Sequence, residues 1–189
     1  MSLTINGVYL KKGNNFATDI QIGEGTRING NFTSKGKGKM CIGKYCAFGA
    51  NISAIAANHN LNTLNLQVHL NTFLGIRSED ASKKDIHVGN NVWIGDNVIL
   101  LPGINIGDGA IIGAASVVTK NIDAYSINAG NPCKPLKNRF ASENIKELLA
   151  NVNWWDWPKE RMQENRDFFD LDFSTITAEE LKEAIAKLK

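Results

Sequence analysis

Val88-Gly89-Asn90-Asn91-Val92-Trp93, Ile94-Gly95-Asp96-Asn97-Val98-Ile99, Leu100-Leu101-Pro102-Gly103-Ile104-Asn105 and Ile106-Gly107-Asp108-Gly109-Ala110-Ile111 are four consecutive hexads in one frame. The frame runs on through Ile112-Gly113-Ala114-Ala115-Ser116-Val117, Val118-Thr119-Lys120-Asn121-Ile122-Asp123 and Ala124-Tyr125-Ser126-Ile127-Asn128-Ala129. The first place is always aliphatic, the second is usually Gly, and the fifth is a modest residue. A helix repeats its apolar residues every 3.6 positions and a strand every 2. A period of six fits neither. It fits a short strand plus a turn, with one side chain per repeat aimed inward and Gly where the backbone bends. Such units bury their apolar side only against the next layer, so they stack as a solenoid, here a parallel β-helix.

Upstream, the frame covers Phe16, Ile22-Gly23-Glu24-Gly25-Thr26-Arg27 and Ile28-Asn29-Gly30-Asn31-Phe32. It blurs at Ser34-Lys35-Gly36-Lys37-Gly38-Lys39, which reads as a bulge or exposed turn rather than a phosphate loop. It restarts, shifted by two, at Ile42-Gly43 and continues to Asn58-His59. Residues 1–16 read as a polar lead-in capping one end. The hexads then vanish between Asn60 and Asp85 and resume near Ile86. In a solenoid such an insertion is extruded from one corner, and long structured loops are commonly functional. Within it Leu64, Leu66, Val68 and Leu70 alternate with Asn65, Gln67, His69 and Asn71. That pattern predicts an extended arm, its apolar side on a neighbouring subunit and its polar side facing a cleft.

Beyond Ala129, Gly130-Asn131-Pro132 breaks the solenoid. The expected division is a β-helix over 1–135, with its long loop at 60–85, and a helical extension over 136–189. Helices are expected at Ser142–Val152, from Pro158, and at Thr177–Lys187, the last opened by the capping box Thr177-Ala178-Glu179-Glu180. Trp154, Trp155 and Trp157 read as anchors of this tail on the β-helix, not as a cofactor box.

The totals narrow the function. A chain of 189 residues suits one main domain with a real core. Residues 1–141 hold 14 Lys/Arg against 8 Asp/Glu, and 142–189 hold 7 against 11. The basic body suits an anionic cofactor. Nucleic acid is not expected, because no dense basic run is interleaved with aromatics. Cys41, Cys46 and Cys133 are odd in number and form no CxxC pair, as in a reducing compartment. No apolar run approaches the ~20 residues that cross a bilayer, and no signal core opens the chain, so a soluble cytoplasmic protein is expected.

Ala57-Asn58-His59 at the mouth of the loop is followed by Val92-Trp93-Ile94-Gly95, Ser116-Val117-Val118-Thr119-Lys120, Gly130-Asn131-Pro132-Cys133-Lys134, Arg139-Phe140 and Trp154-Trp155-Asp156-Trp157. Together these resemble the xenobiotic acetyltransferase branch of the hexapeptide-repeat acyltransferases, from about Ile42 to Asn165. The general rule for parallel crossovers favours a right-handed coil. The resemblance instead implies a left-handed β-helix, with three hexads per triangular coil. It further implies acetyl transfer from acetyl-CoA to a hydroxyl, less often an amine, at sites between subunits of a homotrimer.

On that resemblance His59 is the general base. A neutral imidazole can take the acceptor's proton near neutral pH, and backbone N–H groups then hold the developing oxyanion. No covalent intermediate is required, and no Ser or Cys nucleophile motif is present. Asn58, His69 and Asn71 are candidates for acceptor binding. Gly113, Ala114, Ala115 and Ser116 offer a smooth wall for the pantetheine arm, and Trp93 lies near the active-site His in the family. Lys120, Asn131, Lys134, Lys137 and Arg139 are placed for the nucleotide end and its phosphates. No metal is expected.

The chain departs from the antibiotic-modifying members in several places. They carry Ser-Thr-aromatic-Pro-Phe late in the loop, where this chain has Asn71-Thr72-Phe73-Leu74. Ala124, Cys133 and Lys137 also replace the usual Pro, Ala and Arg. The acceptor expected is therefore a hydroxyl on a surface sugar, with an antibiotic as the alternative. A γ-type carbonic anhydrase would need three His converging on zinc; His59, His69 and His87 are spaced poorly for it. A non-catalytic solenoid scaffold is the other alternative.

Overall fold

The structure is a computed structural model that describes residues 7–10, 13–76, 84–140 and 142–189, and the backbone of 3–5. The chain divides into two compact units, Met1–Leu136 and Lys137–Lys189. The first is a left-handed parallel β-helix. Its coils take their strands three at a time: β1 (Leu3–Ile5), β2 (Tyr9–Leu10) and β3 (Asn15–Phe16), then β4 (Asp19–Ile22), β5 (Arg27–Ile28) and β6 (Phe32–Lys35). The third coil holds β7 (Lys39–Ile42), β8 (Ala47–Phe48) and β9 (Ile52–Ile55). The insertion follows, carrying helix α1 (Val68–Phe73). Next come β10 (Ile86–Val88), β11 (Trp93–Ile94) and β12 (Ile99–Leu100), then β13 (Asn105–Ile106), β14 (Ile111–Ile112) and β15 (Val117–Val118). The final turn holds β16 (Ser126–Ala129), and β17 (Lys134–Asn138) lies at the edge of the same sheet.

Through β15 every third strand lies in the same sheet, and β16 and β17 then extend the second: β1-β4-β7-β10-β13 in the first, β2-β5-β8-β11-β14-β16-β17 in the second, β3-β6-β9-β12-β15 in the third. Val88 pairs with Ile106, Ile94 with Ile112 and Leu100 with Val118, so the first places of the hexads stack in inward rows. The fifth places Val92, Val98, Ile104, Ala110 and Ser116 are buried as well. Each repeat thus turns two side chains inward, one more than the hexad pattern alone suggested. Burying each large aliphatic contributes about 1.5–3 kcal/mol. Phe16, Phe32 and Phe48 stack through the early coils at 5.3 and 5.8 Å.

The second-place glycines do not make the bends. The bend falls at the fourth place, where Asn91, Asn97 and Ala115 take positive φ beside Gly103 and Gly109. The second-place glycines are there because the coils stack so closely. A Cβ on Gly95 would lie 2.7 Å from the Ala114 nitrogen in the next coil. At the third place, Asn90 and Asp96 Oδ1 accept the corner amides of Lys44 and Ala50, and Asp108 Oδ1 accepts that of Asn90. Corner amides that the strand ladders leave unpaired are satisfied in this way.

Three sequence expectations need correction. The lead-in is not merely a cap: Leu3–Ile5 pairs with Ile20–Ile22, so β1, β2 and β3 already supply the three strands of a coil. The seventh hexad slips: Ile122, not Ala124, stacks on Ile106, because the last coil is two residues short. Finally, Gly130-Asn131-Pro132, with a cis Asn131–Pro132 bond, ends the coil but not the sheet, since β17 follows.

The second unit is helical: α2 (Glu143–Ala150), a 3-10 turn (Trp154–Asp156), α3 (Lys159–Glu164), α4 (Arg166–Phe169) and α5 (Ala178–Ala186). Helix α5 opens with the expected capping box, in which Thr177 and Glu180 exchange bonds. Trp154 packs on Trp155 and Phe169, and Trp157 on Phe168, so the tryptophans find ring partners inside the tail. Arg161 lies 4.2 Å over the Trp157 ring.

Ser34 occupies an inward row between Phe16 and Ala54, with its hydroxyl buried and unpaired among the described residues. An unsatisfied buried hydroxyl costs on the order of 1 kcal/mol or more. Ser34→Ala is therefore expected to hold or raise the urea midpoint, with an unchanged slope. A drop above about 1 kcal/mol would show that the hydroxyl is bonded.

Candidate active site

His59 lies four residues beyond β9, where coil three would turn toward the first sheet. It is exposed, as is Asn58. The insertion does not leave as an extended arm. Asn65 Oδ1 accepts from the Gln67 amide, and the Gln67 side chain caps α1 by accepting from Leu70 N. Asn65 Nδ2 also donates to Asn71 Oδ1 at 2.7 Å. Asn65, Gln67 and Asn71 are thus spent on capping and on one another, which favours a helical turn over a strand. The alternation was a false signal because Asn and Gln compete for local backbone groups. His69 and Asn71 both sit on α1 rather than along a strand face.

The apolar side chains of the loop stay uncovered. Leu61, Leu64, Leu66, Phe73, Leu74 and Ile76 are each at least half exposed, Leu64 completely. Residues 77–83 of the insertion lie outside the described residues.

Gly113, Ala114, Ala115 and Ser116 form the corner between β14 and β15. Ala114 and Ala115 face outward. Ser116 is sealed inside: its hydroxyl donates to Gly113 O at 2.6 Å and accepts from Gly130 N at 3.0 Å. Val117 N donates to Gly130 O, and Cys133 N to Val117 O. The structure therefore joins the small-residue corner to the Gly130–Lys134 segment. Asn131 and Lys134 are exposed there, and Lys134 and Lys137 both lie on β17. Arg139 follows, with its guanidinium 5.3 Å over the Phe140 ring. Lys120 is exposed after β15, at the edge between the third and first sheets that also carries His59 two coils earlier. Trp93 stands on the outer face of the second sheet, 55% exposed, between Ala47 and Ile111.

Within one chain, then, His59 and the Gly113–Ser116 corner occupy different edges of the triangular prism. His87 is exposed on β10. No group of three His, Cys, Asp or Glu able to hold a metal ion exists among the described residues. No helix among them is long and apolar enough to cross a membrane.

Residues 85–120 match the family model "Bacterial transferase hexapeptide (six repeats)". A probable macrolide acetyltransferase of Lysinibacillus sphaericus is 39% identical over 137 residues, covering 67% of this chain and 74% of that one. A chloramphenicol acetyltransferase of Agrobacterium fabrum (strain C58 / ATCC 33970) is 34% identical over 144 residues, covering 68% of this chain and 65% of its own length. The chain belongs to the hexapeptide-repeat transferases, in their xenobiotic acetyltransferase branch. Among solved structures, a galactoside acetyltransferase in complex with coenzyme A superposes with a TM-score of 0.58 at 27% identity, covering 72% of this chain and 64% of that one.

In this hexapeptide transferase neither the buried Cys46 nor the half-buried Cys133 is poised to act as a nucleophile. Cys46 sits in a corner with Sγ 3.1 Å from Gly89 O, and burial pushes its pKa up to about 11. Burial also raises that of Cys133. A thiol whose folded pKa is raised stabilises the fold fully below its unfolded value of 9.0, and that contribution fades as pH climbs toward 11. Urea unfolding should therefore show stability falling between these pH values by roughly 2 kcal/mol. Cys46→Ala should remove that fall; an unchanged pH slope in the variant would assign it elsewhere.

Proposed function

We propose that this protein transfers the acetyl group of acetyl-CoA directly to a hydroxyl of a small acceptor, with His59 as general base. The site lies between subunits of a homotrimer. The observation that carries this reading is the separation of the two halves of the site. His59 projects from one edge of the prism and the smooth Gly113–Ala115 corner from another, while the loop beside His59 leaves its apolar side chains uncovered. A second copy brings its corner to the first copy's histidine and covers those side chains, since contiguous exposed apolar surface marks association sites.

The residues fit a coenzyme A thioester. The Gly113–Ala115 corner presents almost no side-chain bulk to a thin pantetheine arm. Exposed Lys120, Asn131, Lys134, Lys137 and Arg139 supply donors and positive charge for phosphates. Trp93 offers a flat apolar wall. His59 takes the proton of the acceptor hydroxyl as that oxygen attacks the thioester carbonyl, and returns it to the departing thiolate. Asn58, His69 and Asn71 line the acceptor side. Such a reaction, fed by acetyl-CoA, fits the cytoplasm.

For the acceptor we favour a hydroxyl of a surface sugar. Leu74 stands where antibiotic-modifying members carry Pro, and its N–H donates to Leu70 O at 2.9 Å to close α1. A proline cannot make that bond, so the loop is built differently here. A galactoside enzyme among the similar structures supports the same choice. The antibiotic alternative draws on the names of the macrolide and chloramphenicol relatives.

Thiol release from acetyl-CoA against a panel of sugars, sugar nucleotides, chloramphenicol and macrolides tests the choice. Release with antibiotics alone would transfer the assignment to them. No release, together with no acetyl-CoA binding by calorimetry, would restore the scaffold reading. His59→Ala should keep acetyl-CoA affinity and cut turnover roughly 10²–10⁴-fold; wild-type turnover would remove His59 from the chemistry. Lys120→Ala and Arg139→Ala should raise KM for acetyl-CoA while leaving acceptor KM unchanged; the reverse pattern would misplace the nucleotide end.

A further inference from the structure

The second coil carries two extra residues in the Ser34–Lys39 run, so contacts from the second to the third coil span 20 positions where the regular repeat spans 18. That bulge lies against both ends of the long insertion. On the outgoing side, Ala56 N donates to Lys35 O at 2.7 Å, and Gly38 N donates to Ala56 O at 3.1 Å. On the returning side, Lys39 N donates to Asp85 Oδ1 at 2.7 Å. The fit leaves no room at either glycine. A Cβ on Gly38, which is buried, would stand 2.6 Å from Ala56 O and 2.7 Å from Lys84 O. A Cβ on Gly36, at φ +107°, would stand 2.6 Å from Ala57 N. The buried Thr18 ties the bulge to the first coil by donating its hydroxyl to Gly36 O at 3.2 Å.

We propose that Gly36–Lys39 is a clamp that gathers the two feet of the insertion and positions His59, which projects two residues beyond Ala57. Gly38 and Asp85 are its positioning residues; neither touches substrate. The proposal rests on His59 being the base. Its physical content is that a base two residues from the clamped backbone inherits that backbone's placement, and a misplacement near 1 Å at a reacting group costs up to ~100-fold in rate. The Gly/Lys run is thus the bulge that its sequence suggested, here with a positioning role. Gly38 is required because backbone passes on both sides, and Gly36 because the outgoing strand passes on one.

The test uses the intact protein labelled with 13Cε1-histidine, whose three histidines give three ring resonances, with His59→Ala to assign one. Gly38→Ala, still melting cooperatively, is expected to shift or broaden the His59 resonance in the absence of substrate. With chloramphenicol or methyl galactoside as acceptor, its kcat should fall about tenfold or more while KM for acetyl-CoA stays within about twofold. Asp85→Ala should act in the same direction. Asp85→Asn, which keeps the accepting oxygen for Lys39 N, should restore the wild-type resonance and kcat. An unmoved His59 resonance in both Gly38→Ala and Asp85→Ala would overturn the clamp. So would Asp85→Asn behaving like Asp85→Ala, since charge rather than the amide bond would then be at work. If the resonance moves while kcat holds, the clamp stands and His59 is not the base. Should Gly38→Ala fail to fold, the Asp85 pair decides alone.

Discussion

In a stack of parallel coils, strand amides and most corner amides find their acceptors in a neighbouring coil, and the hydrogen bond dictates how far apart those coils can lie. The rest of this structure follows from that spacing. It forbids a Cβ at Gly95, whose neighbour across the gap is the backbone of Ala114. It places the turn two residues later, at Asn91, Asn97 and Ala115, where the chain accepts left-handed φ in order to bring the third-place oxygens of Asp96 and Asp108 onto corner amides. It also sets the width of the interior, which one inward side chain from each strand and one from each corner fill.

Where this constraint acts on every repeat it leaves a periodic mark, and there the fold was legible in residue order. The hexads from Val88 to Val118, the two-residue offset after Ser34 and both ends of the insertion were all readable. Where it acts once, it leaves no period. Leu3–Ile5 carries too few residues to announce a coil. The shortening before Ile122 hides because Ala124, like Ile122, is apolar. The insertion misled in another way. Its Leu/Asn alternation resembles a strand, but Asn65 and Gln67 satisfy local backbone and each other, and a short helix results.

The candidate site shows the same division. His59 was conspicuous because it closes a hexad and opens an insertion. The smooth corner at Gly113–Ala115 was visible as a run of small residues. That Ser116 turns inward to bridge Gly113 and Gly130 could not be read from its size. Neither could the placement of histidine and corner on separate edges, which depends on how three strands share a coil. The brace beneath His59 was hidden for a further reason: its partners are 18 to 46 residues apart in sequence and meet only through coil stacking.

The insertion leaves coil three and rejoins coil four in perfect step. Ala50 N meets Asp96 Oδ1 across 46 positions just as Asn90 N meets Asp108 Oδ1 across 18. The barrel of the molecule is therefore indifferent to how long the excursion is or what it contains, provided its two feet are held together. Selection can rewrite the excursion wholesale, changing what the molecule handles, without disturbing the ladder beneath. A single framework of this kind can serve as a chassis for many substrate-reading cassettes.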